Sequence, residues 1–271
     1  MAIEEGFFPA ADHEKLFYRF QAGHSNSAPL LMIHGHGEHS GRYVKFFSEL
    51  RATGRPIAVF DLRGCGRSGG RAVYVERFEE FLDDVTAFTD FLKGRYEIPP
   101  RFALLGHSLG GLIATAWALR NPESVERLVL SSPLFGIPHG RILGPITKFL
   151  NAFVPRGVLH NPVRPPFLTH DPKEVEKYKT DPLIRRRITV HLVYEMLRVA
   201  SLFQKGEFAF PFPVTVLMAE RDYVVDPQST RQFFTRLKAP QKALEEFPGF
   251  YHEIFNEVEQ KRAFDRLRHY I

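Results

Sequence analysis

The sequence predicts an α/β protein built on a mostly parallel, eight-stranded sheet with helices on both faces. Two observations carry this prediction. Short apolar runs recur along the chain, and the first three are each followed by a glycine-containing turn and a helix-length stretch, which is typical of buried parallel strands and their crossover helices. The apolar runs lie at residues 30–33, 57–60, 102–105, 128–130 and 214–218.

The two edges of the sheet are predicted from other patterns. Residues 6–22 are expected to form an antiparallel edge hairpin, with two strands around the polar turn Asp12-His13-Glu14. Residues 243–247 are expected to form the last strand. Helices are expected at about 40–53, 76–94, 109–120, 227–237 and 258–269.

The alternation stops between residues 134 and 211. This segment contains two stretches with helical apolar spacing, at 142–153 and 192–203. An insertion after the sixth strand is expected to lie across the carboxyl ends of the strands, where open α/β sheets bind ligands. The sequence therefore predicts a core formed by residues 1–133 and 212–271, and a helical cap formed by residues 134–211.

Composition limits the classes of protein to consider. With 44% hydrophobic and 25% charged residues, the chain is expected to fold as a soluble globular protein. Neither a signal peptide nor an apolar run of membrane-spanning length is evident, and the single cysteine, Cys65, has no partner for an internal disulfide. These features predict a cytoplasmic protein and leave its oligomeric state open.

The excess positive charge is concentrated in the predicted cap. Residues 134–210 hold 12 Lys or Arg against 6 Asp or Glu, whereas the rest of the chain holds 24 against 25. A basic surface raises nucleic acid as a partner, but neither a recognised motif nor a basic-aromatic repeat supports that interpretation, and we expect no nucleic acid. The basic cap instead predicts a peripheral contact with anionic membrane, with a solvated basic face as the alternative.

The segment Gly106-His107-Ser108-Leu109-Gly110 carries the strongest chemical signal. A Gly-x-Ser-x-Gly pattern alone arises by chance in about one chain of this length in ten. Here it follows a buried-strand run and opens a helix, which is the setting that a strained nucleophile turn requires. The glycines are expected to let strand and helix approach closely. Ser108 is therefore the predicted nucleophile.

A serine hydroxyl is a poor nucleophile unless a base, oriented by an acid, takes its proton. In folds with this strand-turn-helix setting, the acid and the base follow the serine along the chain. Three acidic residues lie just beyond the strand at 214–218: Glu220, Asp222 and Asp226. Asp222 is the predicted acid, because Glu220 lies close to the strand and Asp226, just before a proline, is expected to cap a helix.

The predicted base is His252, which lies in a turn after the last strand and downstream of the acid. Most of the other histidines are expected to be structural or on the surface. His269, within the predicted C-terminal helix, is an example.

Two backbone N–H groups are expected to stabilise the oxyanion that forms during acyl transfer. One belongs to Leu109, after the nucleophile, and the other to His36, in the loop His34-Gly35-His36-Gly37. The rings of His34, His36 and His39 suggest a metal site, but no carboxylates are visibly organised with them, so hydrogen bonding within the loop is the favoured interpretation. We expect no metal and no cofactor.

Three motifs together resemble the monoacylglycerol lipase and lysophospholipase branch of the α/β hydrolases. They are His34-Gly35-His36-Gly37-Glu38-His39-Ser40-Gly41-Arg42-Tyr43, Asp61-Leu62-Arg63-Gly64-Cys65-Gly66-Arg67-Ser68-Gly69 and Gly106-His107-Ser108-Leu109-Gly110-Gly111. Matches at Thr180-Asp181-Pro182-Leu183 and around the predicted acid and base extend the resemblance over nearly the whole chain.

The resemblance implies an α/β-hydrolase fold and a cofactor-free ester hydrolase. The triad would be Ser108, Asp222 and His252, and the oxyanion donors would be the N–H groups of His36 and Leu109. Cys65 departs from the family, which more often has His or another polar residue there. We interpret it as a bystander, with a reactive thiol that modulates the site as the alternative.

The sequence thus predicts a serine hydrolase that cleaves carboxylic esters, most simply a monoacylglycerol lipase acting on single-chain lipid esters. The apolar stripes of the cap are expected to line an acyl-chain pocket; alternatively, they only pack the cap on the core. A lysophospholipase and a short-chain carboxylesterase remain alternatives, and a catalytically silent binding protein is the alternative of another class. A peptidase is disfavoured, because no acidic cluster in the cap is evident to hold a substrate amine.

Overall fold

The central sheet has eight strands in the computed structural model, which describes residues 2–24, 26–161 and 163–271. The strands are β1 (Glu4–Pro9), β2 (Lys15–Gln21), β3 (Leu30–Ile33), β4 (Ile57–Phe60), β5 (Phe102–His107), β6 (Val125–Ser131), β7 (Val214–Ala219) and β8 (Lys242–Phe247). Their order is β1-β2-β4-β3-β5-β6-β7-β8. Strand β2 pairs antiparallel with β1 and β4, and all other neighbours are parallel. The predicted mostly parallel sheet with an antiparallel edge hairpin is confirmed.

Helices cover both faces of the sheet, because its central strands are apolar on both. The helices are α1 (Val44–Glu49), α2 (Glu79–Arg95), α3 (Leu109–Arg120), α4 (Gly140–Phe153), α5 (Pro172–Thr180), α6 (Val190–Lys205), α7 (Pro227–Arg236) and α8 (Gln260–Tyr270). In β3, Leu31 packs in the apolar cluster that includes Phe88 of α2 and Trp117 of α3. Its neighbour Met32 packs in the opposite cluster, with Phe264 of α8. Successive strand residues thus anchor opposite helical layers.

The predicted helix at 40–53 is wrong in its extent. Only α1 is α-helical there, between 3-10 turns at Ser40–Tyr43 and Arg51–Thr53. Gly54 ends the segment in the left-handed region, with φ near 69°. Because glycine weakens helix interiors and favours helix ends, Gly41 and Gly54 leave room for only a short helix between them.

Helix α5 was not predicted, because it has no apolar stripe. Tyr178 is its only buried residue. The helix begins where the Asp171 carboxylate accepts a hydrogen bond from the Lys173 N–H and Pro172 occupies the first helical position. The Asp-Pro pair is the local pattern that indicates this helix start.

The segment between β6 and β7 contains α4, α5 and α6, and α6 is the helix that joins it to the core. Its residues Leu192, Val199 and Phe203 are buried in the larger apolar cluster. Among the described residues, no helix has both the length and the apolar character needed to cross a membrane.

Helix α4 turns its apolar face outward, whereas the apolar face of α6 is buried. Its apolar residues Phe149 and Phe153 are 65% and 72% exposed, whereas Thr147 is buried and the Asn151 side chain lies 2.8 Å from the His191 ring of α6. The small and polar face of α4 therefore packs against α6. The expectation that this apolar stripe lines a pocket or packs on the core is wrong for α4, because helical spacing does not determine which face meets the protein.

Candidate active site

Ser108 lies at the turn between β5 and α3 with a strained backbone. Its φ and ψ are 52° and −118°, outside the regions that residues with side chains favour. A side chain at Gly110 would collide with the carbonyl group of Ile33, and one at Gly106 would collide with the backbone of Gly110. The two glycines thus allow the close packing that holds Ser108 in this conformation.

His252 and Asp222 lie in the loops after β8 and β7, and their side chains are in contact. His252 Nδ1 lies 2.7 Å from Asp222 Oδ2, and the two side chains are 4% and 2% exposed. Asp222 Oδ1 accepts hydrogen bonds from the N–H groups of Val224 and Val225, at 2.8 and 2.9 Å. The carboxylate is therefore held by its own turn, and it can orient the His252 ring.

The other two acidic residues near Asp222 have separate contacts. Glu220 Oε2 accepts a hydrogen bond from the Gly249 N–H at 2.8 Å. Asp226 precedes α7 and accepts hydrogen bonds from the N–H groups of Gln228 and Ser229, which is the expected helix-capping contact. Only Asp222, among these three, contacts His252.

The surroundings of His252 favour its protonated form more than water does for a free histidine side chain. Burial lowers the pKa of His252, but the Asp222 carboxylate outweighs burial, with contributions from Glu253 and Glu38, so the net pKa is raised. A histidine with this environment is a stronger base than a free imidazole and is stabilised once it has accepted a proton.

A buried ion network, which the sequence did not predict, joins the loop of the predicted base to residues 34–39. We call these residues the oxyanion loop, because they contain the predicted oxyanion segment at 34–37. Arg42 donates to both carboxylate oxygens of Glu253, at 2.7 and 2.6 Å, and to Glu38 at 3.3 Å. All three side chains are less than a tenth exposed. Burial raises the pKa of Glu38, but Arg42 and nearby histidines lower it to about 2, so this carboxylate stays ionised.

The oxyanion loop is held by hydrogen bonds of its own side chains. Glu38 Oε1 accepts from the Gly35 N–H at 2.7 Å, and His34 Nε2 accepts from the Leu62 N–H at 2.9 Å. His36 lines the same cavity as Ser108 and His252. Leu109 is the first residue of α3, so its N–H has no acceptor within the helix.

The cavity over Ser108 has a polar side and an apolar upper wall. The polar side includes Gly35, His36, Ser108, His252 and Glu253. The upper wall comes largely from the segment between β6 and β7 and includes Ile137, Val163, Leu168, Ile188, Val193, Met196 and Leu197. Helix α6 contributes the last three, so its apolar residues reach both the core and the cavity.

Cys65 is buried. Burial raises the pKa of its thiol to about 12, which leaves very little thiolate at neutral pH. The structure therefore supports the bystander interpretation over the reactive thiol.

Fold and site together are those of an α/β hydrolase. A family model described as serine aminopeptidase, S33, matches residues 24–259. The chain belongs to this family, within the α/β hydrolases similar to monoacylglycerol lipases.

Three curated relatives align with this protein over most of both chains. The protein is 32% identical over 246 residues to phospholipase YtpA of Bacillus subtilis, covering 89% of this chain and 93% of that protein. It is 30% identical over 253 residues to human monoglyceride lipase, covering 92% and 83%. It is 29% identical over 245 residues to a monoacylglycerol lipase of Mycolicibacterium smegmatis, covering 89% and 87%.

Solved structures show the same fold. The crystal structure of Paleococcus ferrophilus monoacylglycerol lipase matches with a TM-score of 0.81 and 27% identity, covering all of this chain and 98% of that one. A soluble variant of the Saccharomyces cerevisiae monoglyceride lipase, in complex with a substrate analogue, matches with a TM-score of 0.85. At 21% identity, with 100% and 94% of the chains covered, this second likeness concerns the fold alone.

Proposed function

We propose that the protein hydrolyses carboxylic esters of single-chain lipids, with Ser108, His252 and Asp222 as its catalytic triad. The observation that carries the proposal is the strained Ser108 turn in one cavity with a His252 ring that is bound to a buried Asp222. The names of the relatives, which are lipases and a phospholipase, support the same class of reaction.

The proposed reaction proceeds through an acyl-enzyme. His252 Nε2 takes the proton of Ser108 Oγ as the oxygen attacks the ester carbonyl carbon, and the N–H groups of His36 and Leu109 receive the negative charge. Asp222 keeps a proton on Nδ1 and stabilises the imidazolium. The alcohol leaves with the proton from His252, and water then attacks the acyl-enzyme with His252 again as base.

The apolar upper wall of the cavity supports an acyl chain as the group bound there. Each buried methylene contributes about 0.8 kcal/mol to binding, so an apolar wall favours longer chains over acetate. We propose that residues 134–211 form the cap that provides this wall, and that monoacylglycerols are favoured over short-chain esters. Lysophospholipids remain the second substrate class, supported by the phospholipase among the relatives.

The charges around the cavity favour an ester over a peptide. An aminopeptidase, the activity named in the family description, needs a carboxylate free to hold the substrate ammonium. Among the described residues, two carboxylates line this cavity, Glu38 and Glu253, and both are paired with Arg42. A cationic substrate group would have to displace that buried pair, which is costly.

We propose further that the outer face of the cap contacts anionic lipid. The exposed apolar residues Ile142, Ile146, Phe149 and Phe153 share one face of α4, and the segment around them holds the excess positive charge of the chain. An exposed apolar helix face in a basic segment is typical of interfacial helices. Cosedimentation with liposomes should therefore require anionic lipid and weaken with salt, whereas salt-insensitive or absent binding would contradict the contact.

One panel of substrates tests the proposed function. It includes p-nitrophenyl esters from C2 to C16, monoacylglycerols, lysophospholipids and an aminoacyl naphthylamide, each with wild type and Ser108→Ala. We expect wild type to prefer monoacylglycerols and medium-to-long esters, and Ser108→Ala to fall to background. A C2–C4 optimum would contradict the lipase proposal, and preference for the naphthylamide would favour the peptidase.

A further inference from the structure

One stretch of the cap, residues 181–187, is hydrogen-bonded to the oxyanion loop at two places. These contacts join His39 to Asp181 and Gly37 to Arg185. The first is 2.8 Å between His39 Nε2 and Asp181 Oδ2, and the second is 2.8 Å from the Arg185 N–H to the Gly37 carbonyl oxygen. The loop that presents the His36 N–H is therefore bound directly to the cap.

In the contact between His39 and Asp181, the histidine is the donor and the carboxylate is the acceptor. His39 Nδ1 accepts a hydrogen bond from the Gly41 N–H, so Nε2 carries the ring proton and donates it to Asp181. Asp181 Oδ1 meanwhile accepts from the Leu183 N–H at 2.8 Å. Burial raises the pKa of Asp181, but these two donors lower it further than burial raises it, so the carboxylate is an ionised acceptor.

Close packing limits movement of the loop relative to the cap. Gly37 has φ near 73°, and a Cβ atom there would lie 2.7 Å from the Arg185 carbonyl oxygen. Loop and cap backbones thus approach as closely as glycine allows. A change in the position of residues 181–187 would therefore move the loop as well.

We propose that Asp181 is a positioning residue for ester hydrolysis, acting through His39 on the loop that carries the His36 N–H. This inference rests on the proposed function. Oxyanion donors act only when they are held at the position where negative charge develops, and displacements of about 1 Å are costly in rate. Asp181 itself touches neither the substrate carbonyl nor Ser108; its effect passes through the loop.

The test compares Asp181→Ala with a matched control in the same part of the cap, Asp171→Ala. Asp171 caps α5 and has no role in the loop contacts described above. On a soluble p-nitrophenyl ester, we expect Asp181→Ala to lower kcat about ten- to a hundredfold with KM nearly unchanged, since the loss falls on the transition state. The affinity of an alkylboronic acid, which forms a tetrahedral adduct, should fall by the same factor. Asp171→Ala should keep the wild-type kcat.

A double-mutant cycle separates positioning from general destabilisation of the cap. If Asp181 acts through His39, the variant with both His39→Ala and Asp181→Ala should lose no more activity than His39→Ala alone. Multiplicative losses, an unchanged kcat in Asp181→Ala, or an equal loss in Asp171→Ala would each overturn the proposal. A wild-type protein that hydrolyses no ester would instead contradict the proposed function.

Discussion

Two helices of the proposed cap, α4 and α6, have apolar residues at the same helical spacing but lie in opposite surroundings. In α6, Phe203 is 3% exposed and packs in the main apolar cluster. In α4, Phe153 is 72% exposed, whereas Thr147 is buried and the Asn151 side chain contacts His191 of α6. Apolar spacing therefore identifies an amphipathic helix but not what its apolar face contacts.

The difference between the two helices divides the molecule into two parts, in which substitutions should affect different properties. The core, together with α6, holds the proposed catalytic groups and contributes stability, because its apolar and polar contacts are buried. The outer face of α4 contributes little to stability and is available to another surface. Substitutions on the two sides should thus change different measurements.

The largest effect is expected at the acid of the proposed triad, on the core side of this division. Asp222→Asn should lower kcat by about 10⁴-fold, because the amide no longer holds the His252 tautomer that accepts the serine proton. The control is Asp226→Asn, four residues away, which should lose at most part of a helix cap and keep its activity. Ester hydrolysis measures both, and liposome binding should stay at the wild-type level in each. Comparable losses in the two variants would contradict the assignment of the acid.

The next effect concerns stability and compares the two helices directly. Phe203→Ala should lower the free energy of unfolding by about 3–5 kcal/mol, because it leaves a cavity in a packed cluster. Phe153→Ala should change it by less than about 0.5 kcal/mol, since the ring is mostly exposed. Urea denaturation of the two variants measures this difference. Equal destabilisation would mean that the apolar face of α4 is covered by protein.

The third effect concerns membrane binding, in which substitutions in α4 should have a larger effect than substitutions in α6. Replacing Phe149 and Phe153 together by Ser should weaken partition onto anionic liposomes at least tenfold, since each buried phenyl ring contributes about 1.5–3 kcal/mol. Hydrolysis of a soluble short-chain ester should be unchanged. If that hydrolysis fell as much as liposome binding, the outer face of α4 would contribute to catalysis, which would contradict the division into two parts.

The smallest effect is a shift in the pH profile. His252 acts only when it is neutral and its pKa is raised, so kcat/KM for a neutral ester should fall as the pH decreases through a value above about 6.5. Glu253→Gln removes one of the charges that raise this pKa and should move the fall to lower pH. Glu246→Gln, in an exposed pair with Arg231, is the control and should leave the profile in place. A shift to higher pH in Glu253→Gln would contradict the electrostatic account.

The predicted site residues that the structure brings together follow local sequence patterns. The strand and glycines around Ser108 predict the strained turn, and the strand ends before Asp222 and His252 place both residues at the same edge of the sheet. The contact between Asp222 and His252 follows from this placement. The catalytic role of all three residues stays a prediction.

The features that the sequence missed depend on tertiary packing. Arg42 and Glu253 are 211 positions apart, and no periodicity connects them. Helix α4 turns its apolar face outward and contacts α6 through the polar side chain of Asn151, which an apolar pattern does not record. Helix α5 lacks a stripe because only one of its residues is buried.

Labelling with a fluorophosphonate probe, followed by peptide mapping, tests the central claim most directly. The probe reacts with an activated serine and stays bound, so the modified residue identifies the nucleophile. We expect one adduct on the peptide that contains Ser108, with labelling lost in Ser108→Ala and strongly slowed in Asp222→Asn. An adduct on another residue, or normal labelling of Ser108→Ala, would contradict the account.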